Sequence, residues 1–119
     1  MIADASATAE AVRSGATSAR AEVQRCLDRI AATDAKVNAF TEVLAERALK
    51  RADVVDAHPR RARMKLAGVP FAVKNLFDIA GLATLAGSKI ERDHAPAARD
   101  ALLVRRLEAE GAVLVGALN

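Results

Sequence analysis

Apolar residues along this chain follow two rhythms: in the first half they recur with a helical period, and in the second they gather into short continuous runs. Ala19, Val23, Cys26, Leu27 and Ile30 lie at i, i+4, i+7, i+8 and i+11, one stripe of an amphipathic helix. Ser18 stands where an N-cap belongs and Glu22 falls in the early turns, so the pattern predicts a helix from there to about Ala32. A shorter helix is expected from about Ala5 to Arg13, closing at Ser14-Gly15, where glycine can take the left-handed conformation. Beyond Thr33-Asp34, Val37 to Val43 alternates loosely, as a short strand would. Helical spacing returns from Leu44 to about Ala57 through Ala45, Ala48, Leu49, Ala52 and Val55, with Glu46 and Lys50 as an i,i+4 pair. His58-Pro59 ends it, because proline donates no backbone hydrogen bond and restrains the residue before it.

The second rhythm begins with Val69 to Leu76, a nearly continuous apolar strand. Asp100 reads as an N-cap, Ala101 to Glu110 as a helix burying Leu103, Val104 and Leu107, Gly111 as its close, and Val113 to Val115 as another strand. Strands apolar on both faces belong in a parallel or mixed sheet covered by helices, so the class is α/β, with a right-handed connection expected. The last strand ends within four residues of Asn119, leaving nothing after it to supply a neighbouring strand. The chain therefore reads as the N-terminal portion of a larger single domain, with a helical region over about 1–60 and the start of a sheet core over 66–119.

Composition narrows the picture. At 119 residues, 52% hydrophobic and 28% charged, the chain is of globular type. Alanine dominates its apolar set and it has no Trp or Tyr, so burial per residue is modest and the segment alone would be marginal. The formal net charge of +3 includes a basic run at Arg60, Arg61, Arg63 and Lys65. Without Tyr or Trp to stack on bases, or a helix with a basic face, that run reads as a solvated loop, and no nucleic-acid partner is expected. No window approaches the roughly 18 apolar residues of a membrane span and no signal-peptide pattern opens the chain, so no membrane association is expected. The single cysteine, Cys26, excludes an intrachain disulfide and fits a reducing, cytoplasmic compartment; inside the apolar stripe it reads as a small core thiol.

One residue conflicts with its surroundings. Lys74 sits inside the run Leu66-Ala67-Gly68-Val69-Pro70-Phe71-Ala72-Val73-Lys74-Asn75-Leu76-Phe77-Asp78. Burial disfavours an ammonium and lowers a lysine pKa from its free value of about 10.4, which turns an inert cation into a base. Composition and spacing leave two readings open: a buried catalytic lysine, or a lysine on an edge strand with its head in solvent. Ser88 follows Gly87, but no Gly-x-Ser-x-Gly surrounds it, so it is not read as a nucleophile. Gly81 to Lys89 is not a phosphate loop, since five residues separate Gly81 from Gly87 and Ser88-Lys89 reverses the required order. His58 and His94 lack metal-ligand spacing and read as surface histidines, and Asp78, Glu91 and Asp93 read as solvated loop charges. Neither a metal nor a cofactor is expected.

Gly68-Val69-Pro70 leading into Val73-Lys74, then Gly81, Thr84, Gly87-Ser88, Asp100-Ala101, Val104, Leu107, Gly111-Ala112, Gly116 and Asn119, resembles in order and spacing the first part of the amidase signature domain. The resemblance implies an amide hydrolase or amidotransferase with a serine, cis-serine, lysine triad in which Lys74 holds the lysine position. It also implies the chemistry: a neutral lysine accepts a proton through the bridging serine while the nucleophilic serine attacks the amide carbonyl. Both serines would lie beyond Asn119, so the 119-residue chain by itself is expected to be inactive. Two departures bear on the branch of the family: Asn75 follows the lysine where Asp is usual, and Gly116-Ala117-Leu118-Asn119 stands where Gly-Lys-Thr-Asn is usual. With Leu85-Ala86-Gly87-Ser88-Lys89-Ile90 and Arg92-Asp93-His94-Ala95-Pro96, they resemble the carboxybiuret hydrolase branch, which takes part in cyanuric acid breakdown. That branch implies hydrolysis of a small ureide-type amide with release of ammonia, an oligomer when complete, and a small partner subunit. Two alternatives remain open: a glutaminase of the kind found as the A-type component of glutamyl-tRNA amidotransferase, and a non-catalytic fragment.

Overall fold

The computed structural model describes residues 4–86 and 93–119. Helix α1 spans Ala5–Ser14, α2 Ala19–Val37 and α3 Ala45–Ala57, with strand β1, Phe40–Val43, between the last two. After a 3-10 turn at Arg61–Arg63 come β2 (Pro70–Lys74), α4 (Leu102–Ala109) and β3 (Val113–Leu118). The strands form one mixed sheet in the order β1-β3-β2, with β3 antiparallel to β1 and parallel to β2. The α/β class is as expected. The neighbour that sequence did not supply after β3 comes from earlier in the chain, because β1 pairs with it.

Local chemistry sets the helix ends. Asp4 accepts a hydrogen bond from the Ala7 N–H at 2.8 Å, and Ser18 from the Ala21 N–H at 3.0 Å. The start of α2 has a second cap from a distant element: the Asp56 carboxylate of α3 accepts from the Ala19 and Arg20 N–H groups at 2.7 and 3.0 Å. That places negative charge at the positive end of the helix dipole. Helix α2 runs past Ala32 to Val37 and stops at Asn38, whose backbone is left-handed (φ 50°), while Asp34 accepts from the Ala39 N–H. Helix α3 ends at His58, as the following proline requires.

Helices cover both faces of the sheet. On one, Val12 of α1, Ala19, Val23 and Leu27 of α2, and Ala48, Ala52 and Val55 of α3 pack against Val113 and Val115, together with Met64 and Ala67. On the other, Val104 of α4 packs with Val73, Ile79, Leu114 and Ala117. An irregularity in β3 permits this division. Phe71 lies opposite Leu114 but Ala72 opposite Gly116, so Val115 is an extra residue and the alternation of faces resets beyond it. Gly116 is required for close approach, since a Cβ there would lie 2.6 Å from the Glu42 carbonyl oxygen and 2.7 Å from the Phe40 ring. At Gly111, φ is +96°, the left-handed turn that lets the chain leave α4 and enter β3.

Two details of α4 differ from the pattern-based reading. Of the three residues expected to be buried, Val104 is fully buried, Leu107 is half-buried, and Leu103 is 44% exposed. Asp100 does not cap the helix: the cap position is Ala101, which has no side-chain bond, and the Asp100 carboxylate is held by Arg47 instead.

Candidate functional site at the carboxyl end of the sheet

Lys74 is the last residue of β2 and lies opposite Leu118 of the parallel strand β3. Open α/β sheets bind ligands beyond the carboxyl ends of their parallel strands, which is where this residue stands. Its side chain is exposed, as in the second of the two readings that composition and spacing left open: β2 is an edge strand, and its buried apolar character ends at Val73. The backbone turns immediately afterwards. The Lys74 carbonyl accepts from the Leu76 and Phe77 N–H groups at 2.7 and 3.2 Å, and the Asn75 N–H donates to the Leu118 carbonyl at 2.7 Å.

Asn75 is buried, with 7% of its surface exposed, and its side-chain and backbone polar groups are engaged. Its Oδ1 accepts from the Leu85 N–H at 2.9 Å, and its Nδ2 donates to the Thr41 Oγ1 at 2.9 Å. Its carbonyl accepts from the Ala86 N–H at 2.6 Å. Thr41 in turn donates to the Ala117 carbonyl at 3.2 Å. One side chain thus joins the turn after β2, the 84–86 segment and the β1–β3 pair. Nearby, the Thr84 hydroxyl donates to Asp78 at 2.6 Å, and the Ala101 N–H donates to the Asp78 carbonyl, tying the same segment to the start of α4. Asn119 closes the corner by donating through Nδ2 to the Asn38 carbonyl at 2.7 Å.

A second charged cluster lies between α3 and α4. Arg47 donates to both Asp100 oxygens, at 2.9 and 2.8 Å, and to Glu108 at 2.9 Å. Arg51 donates to the Glu108 carbonyl at 2.8 Å, with its Nε 3.5 Å from the Glu108 carboxylate. The Arg47 hydrogen bonds hold the Asp100 carboxyl below the usual carboxylate range, helped by the Ala80 N–H and opposed by burial. A bidentate guanidinium–carboxylate pair with a second carboxylate attached is a strut between helices, with its groups committed to one another.

The other residues weighed from sequence fall elsewhere. Half-buried His58 accepts through Nδ1 from the Arg60 N–H at 3.0 Å, so it is less superficial than expected, and His94 is exposed. Arg60, Arg63 and Lys65 are exposed while Arg61 is half-buried and donates to the Asp56 carbonyl. Burial pushes the Cys26 thiol up, against the opposing effect of Arg29, which favours an inert thiol. Gly87, Ser88 and Glu91 lie outside the described residues. Among the described residues no three His, Cys, Asp or Glu side chains gather as a metal site would need, and no helix is long and apolar enough to cross a membrane. Sequence reasoning missed Thr41 and the linking role of Asn75, because nothing local relates two residues 34 positions apart.

The fold defines a helix-covered α/β core with an exposed lysine at the carboxyl end of an edge strand. The profile of the family described as Amidase matches residues 21–119. The chain is 55% identical over 114 residues to AtzE of Pseudomonas sp. (strain ADP), a 1-carboxybiuret hydrolase subunit, covering 92% of this chain and 24% of that protein. It is 50% identical over 99 residues to the A-type component of glutamyl-tRNA(Gln) amidotransferase from Anaeromyxobacter dehalogenans (strain 2CP-C), covering 82% and 20%. Among solved structures, a complex described as revealing the origins of an s-triazine catabolic enzyme superposes with TM-score 0.93 at 52% identity, covering 98% of this chain and 26% of that one. Native peptide amidase of Stenotrophomonas maltophilia superposes with TM-score 0.85 at 34% identity, covering 98% and 24%. The chain belongs to the amidase signature family. It spans about a fifth to a quarter of the length of these relatives.

Proposed function

We propose that this chain is the N-terminal portion of one amidase domain that hydrolyses a small ureide-type amide, resembling carboxybiuret, and releases ammonia. In this reading Lys74 is the base of a serine, cis-serine, lysine triad whose serines are supplied by sequence beyond Asn119. The neutral amine takes the proton that the bridging serine relays from the nucleophilic serine, whose Oγ bonds to the amide carbonyl carbon. The proton returns to the leaving nitrogen as the C–N bond breaks, and water then releases the acyl group by the same relay in reverse. Working as a base requires the amine to lose its proton, so the remainder of the domain must cover a side chain that the described residues leave exposed.

The observation that carries the substrate assignment is the 55% identity to the 1-carboxybiuret hydrolase protein AtzE over 92% of the chain. Asn75 after the lysine and Ala117 near the end of β3 support the same branch. The 50% identity to the A-type component of a glutamyl-tRNA(Gln) amidotransferase supports a glutaminase as the second reading. An oligomeric assembly, a cytoplasmic location and a small partner subunit belong to the same proposal. Ammonia release by the full-length protein from carboxybiuret, biuret and glutamine separates the readings. Preference for carboxybiuret is expected; preference for glutamine would transfer the assignment to the glutaminase.

A further inference from the structure

We infer that Asn75 and Thr41 form a clamp that positions Lys74, and that the clamp requires an amide rather than a carboxylate at position 75. The inference rests on the reading of Lys74 as the base. Proton counting carries it. The Leu85 N–H must meet an acceptor, so the Asn75 oxygen faces Leu85 and its NH2 faces Thr41. The Ala117 carbonyl can only accept, so the single Thr41 proton points there, and the Thr41 oxygen is left to accept from Asn75. The result is a one-directional chain, from the Asn75 NH2 through the Thr41 hydroxyl to the Ala117 carbonyl.

An aspartate at position 75 breaks that order. A carboxylate has no proton to give Thr41, so the hydroxyl must turn to it and abandon Ala117, or two oxygens must face each other. Strand pairing shows that Thr41 is specifically placed for the task. Phe40 lies opposite Leu118 and Glu42 opposite Ala117, so Thr41 is an extra residue in β1 with no partner on β3. Such irregularities redirect a side chain, and this one directs a hydroxyl towards the turn that follows Lys74. Because that turn begins at the Lys74 carbonyl, its anchoring fixes the strand end from which the Lys74 side chain extends. Asn75 and Thr41 are positioning residues: neither needs to touch substrate.

The elements that meet at Asn75 carry few charges. Lys74 on β2, Glu42 on β1 and Asp78 in the following segment are charged, and neither β3 nor residues 84–86 contain a charged residue. A carboxylate introduced at 75 would therefore act mainly on Lys74, favouring its ammonium. The test uses the full-length enzyme with the better of carboxybiuret and glutamine, with rates normalised to the acyl-enzyme burst. Asn75→Asp should lower kcat about tenfold or more with KM nearly unchanged, and move the rising limb of kcat/KM to higher pH. Thr41→Val should lower kcat similarly, and Thr41→Ser, which keeps the hydroxyl, should recover most of the loss. If Asn75→Asp does not fold, the Thr41 pair decides alone. With Lys74→Ala inactive, an unchanged rate and pH profile for Asn75→Asp, or equal kcat for Thr41→Val and Thr41→Ser, overturns the clamp but leaves the function standing. Full activity in Lys74→Ala overturns both.

Discussion

On one face of the sheet, α1, α2 and α3 enclose a continuous core of eleven buried apolar residues; on the other, α4 and the segment after Lys74 enclose five among the described residues. The larger core is closed by helices adjacent in sequence, and its members Val12, Val23, Ala48, Ala52 and Val55 are fully buried. Around the smaller core Leu76, Leu102 and Leu103 remain exposed. The polar corner built on Asn75 belongs to the same side of the molecule as that smaller core, since Ile79 and Phe77 pack there. The difference teaches that local sequence suffices to build the larger core, while the face next to the site keeps its leucines exposed. On our proposal the rest of the amidase domain covers them.

Five substitutions in the full-length protein sharpen the contrast, from the largest effect on stability to the smallest. Leu114→Ala truncates a fully buried leucine of the smaller core and is expected to cost about 2–5 kcal/mol in denaturant unfolding. A cost under about 1 kcal/mol would mean that this core is not closed even in the full-length protein. Arg47→Ala strips Asp100 and Glu108 of their guanidinium and should cost about 1–3 kcal/mol. Its acid dependence has a definite sign. The folded Asp100 carboxyl is held below its ordinary value, so the stabilisation is complete above about pH 4 and is lost as pH falls through the lower folded value. Asp100→Asn should therefore flatten the stability profile below about pH 4, and an unchanged profile would mean that the strut contributes nothing. Leu103→Ala probes the open face: if other chain covers α4, the loss should exceed about 1 kcal/mol, whereas a change within about 0.5 kcal/mol would leave this residue in solvent. Lys50→Ala, which breaks the exposed Glu46–Lys50 pair, should change stability by less than about 0.5 kcal/mol.

Much of the supporting face was legible in sequence because its helices depend on local periodicity. The stripe through Val23 and Leu27 and the run through Ala48, Ala52 and Val55 did become core. The end of α2 was not legible, because residues past Ile30 have no apolar stripe and the stop depends on a left-handed Asn38 and its contact with Asp34. At the site, the strand was read as continuing to Leu76 with Lys74 inside it, whereas it ends at Lys74; an apolar run does not distinguish an edge strand from a central one, so a buried and an exposed lysine stayed equally open. Asp100 resembled a cap because its position suited one; its partner Arg47 lies 53 residues away. The Asn75–Thr41 link escaped for the same reason, as pairing across a sheet joins residues that no local pattern relates.

The central claim is that the exposed lysine at the end of β2 becomes the base of an amide hydrolase in the full-length protein. Its most direct test measures ammonia release from carboxybiuret by the full-length protein and its Lys74→Ala variant, both first shown to be folded by circular dichroism. Turnover by the parent is predicted, with a loss of about 10²–10⁴-fold in the variant. Turnover by the variant within a few-fold of the parent would contradict the claim.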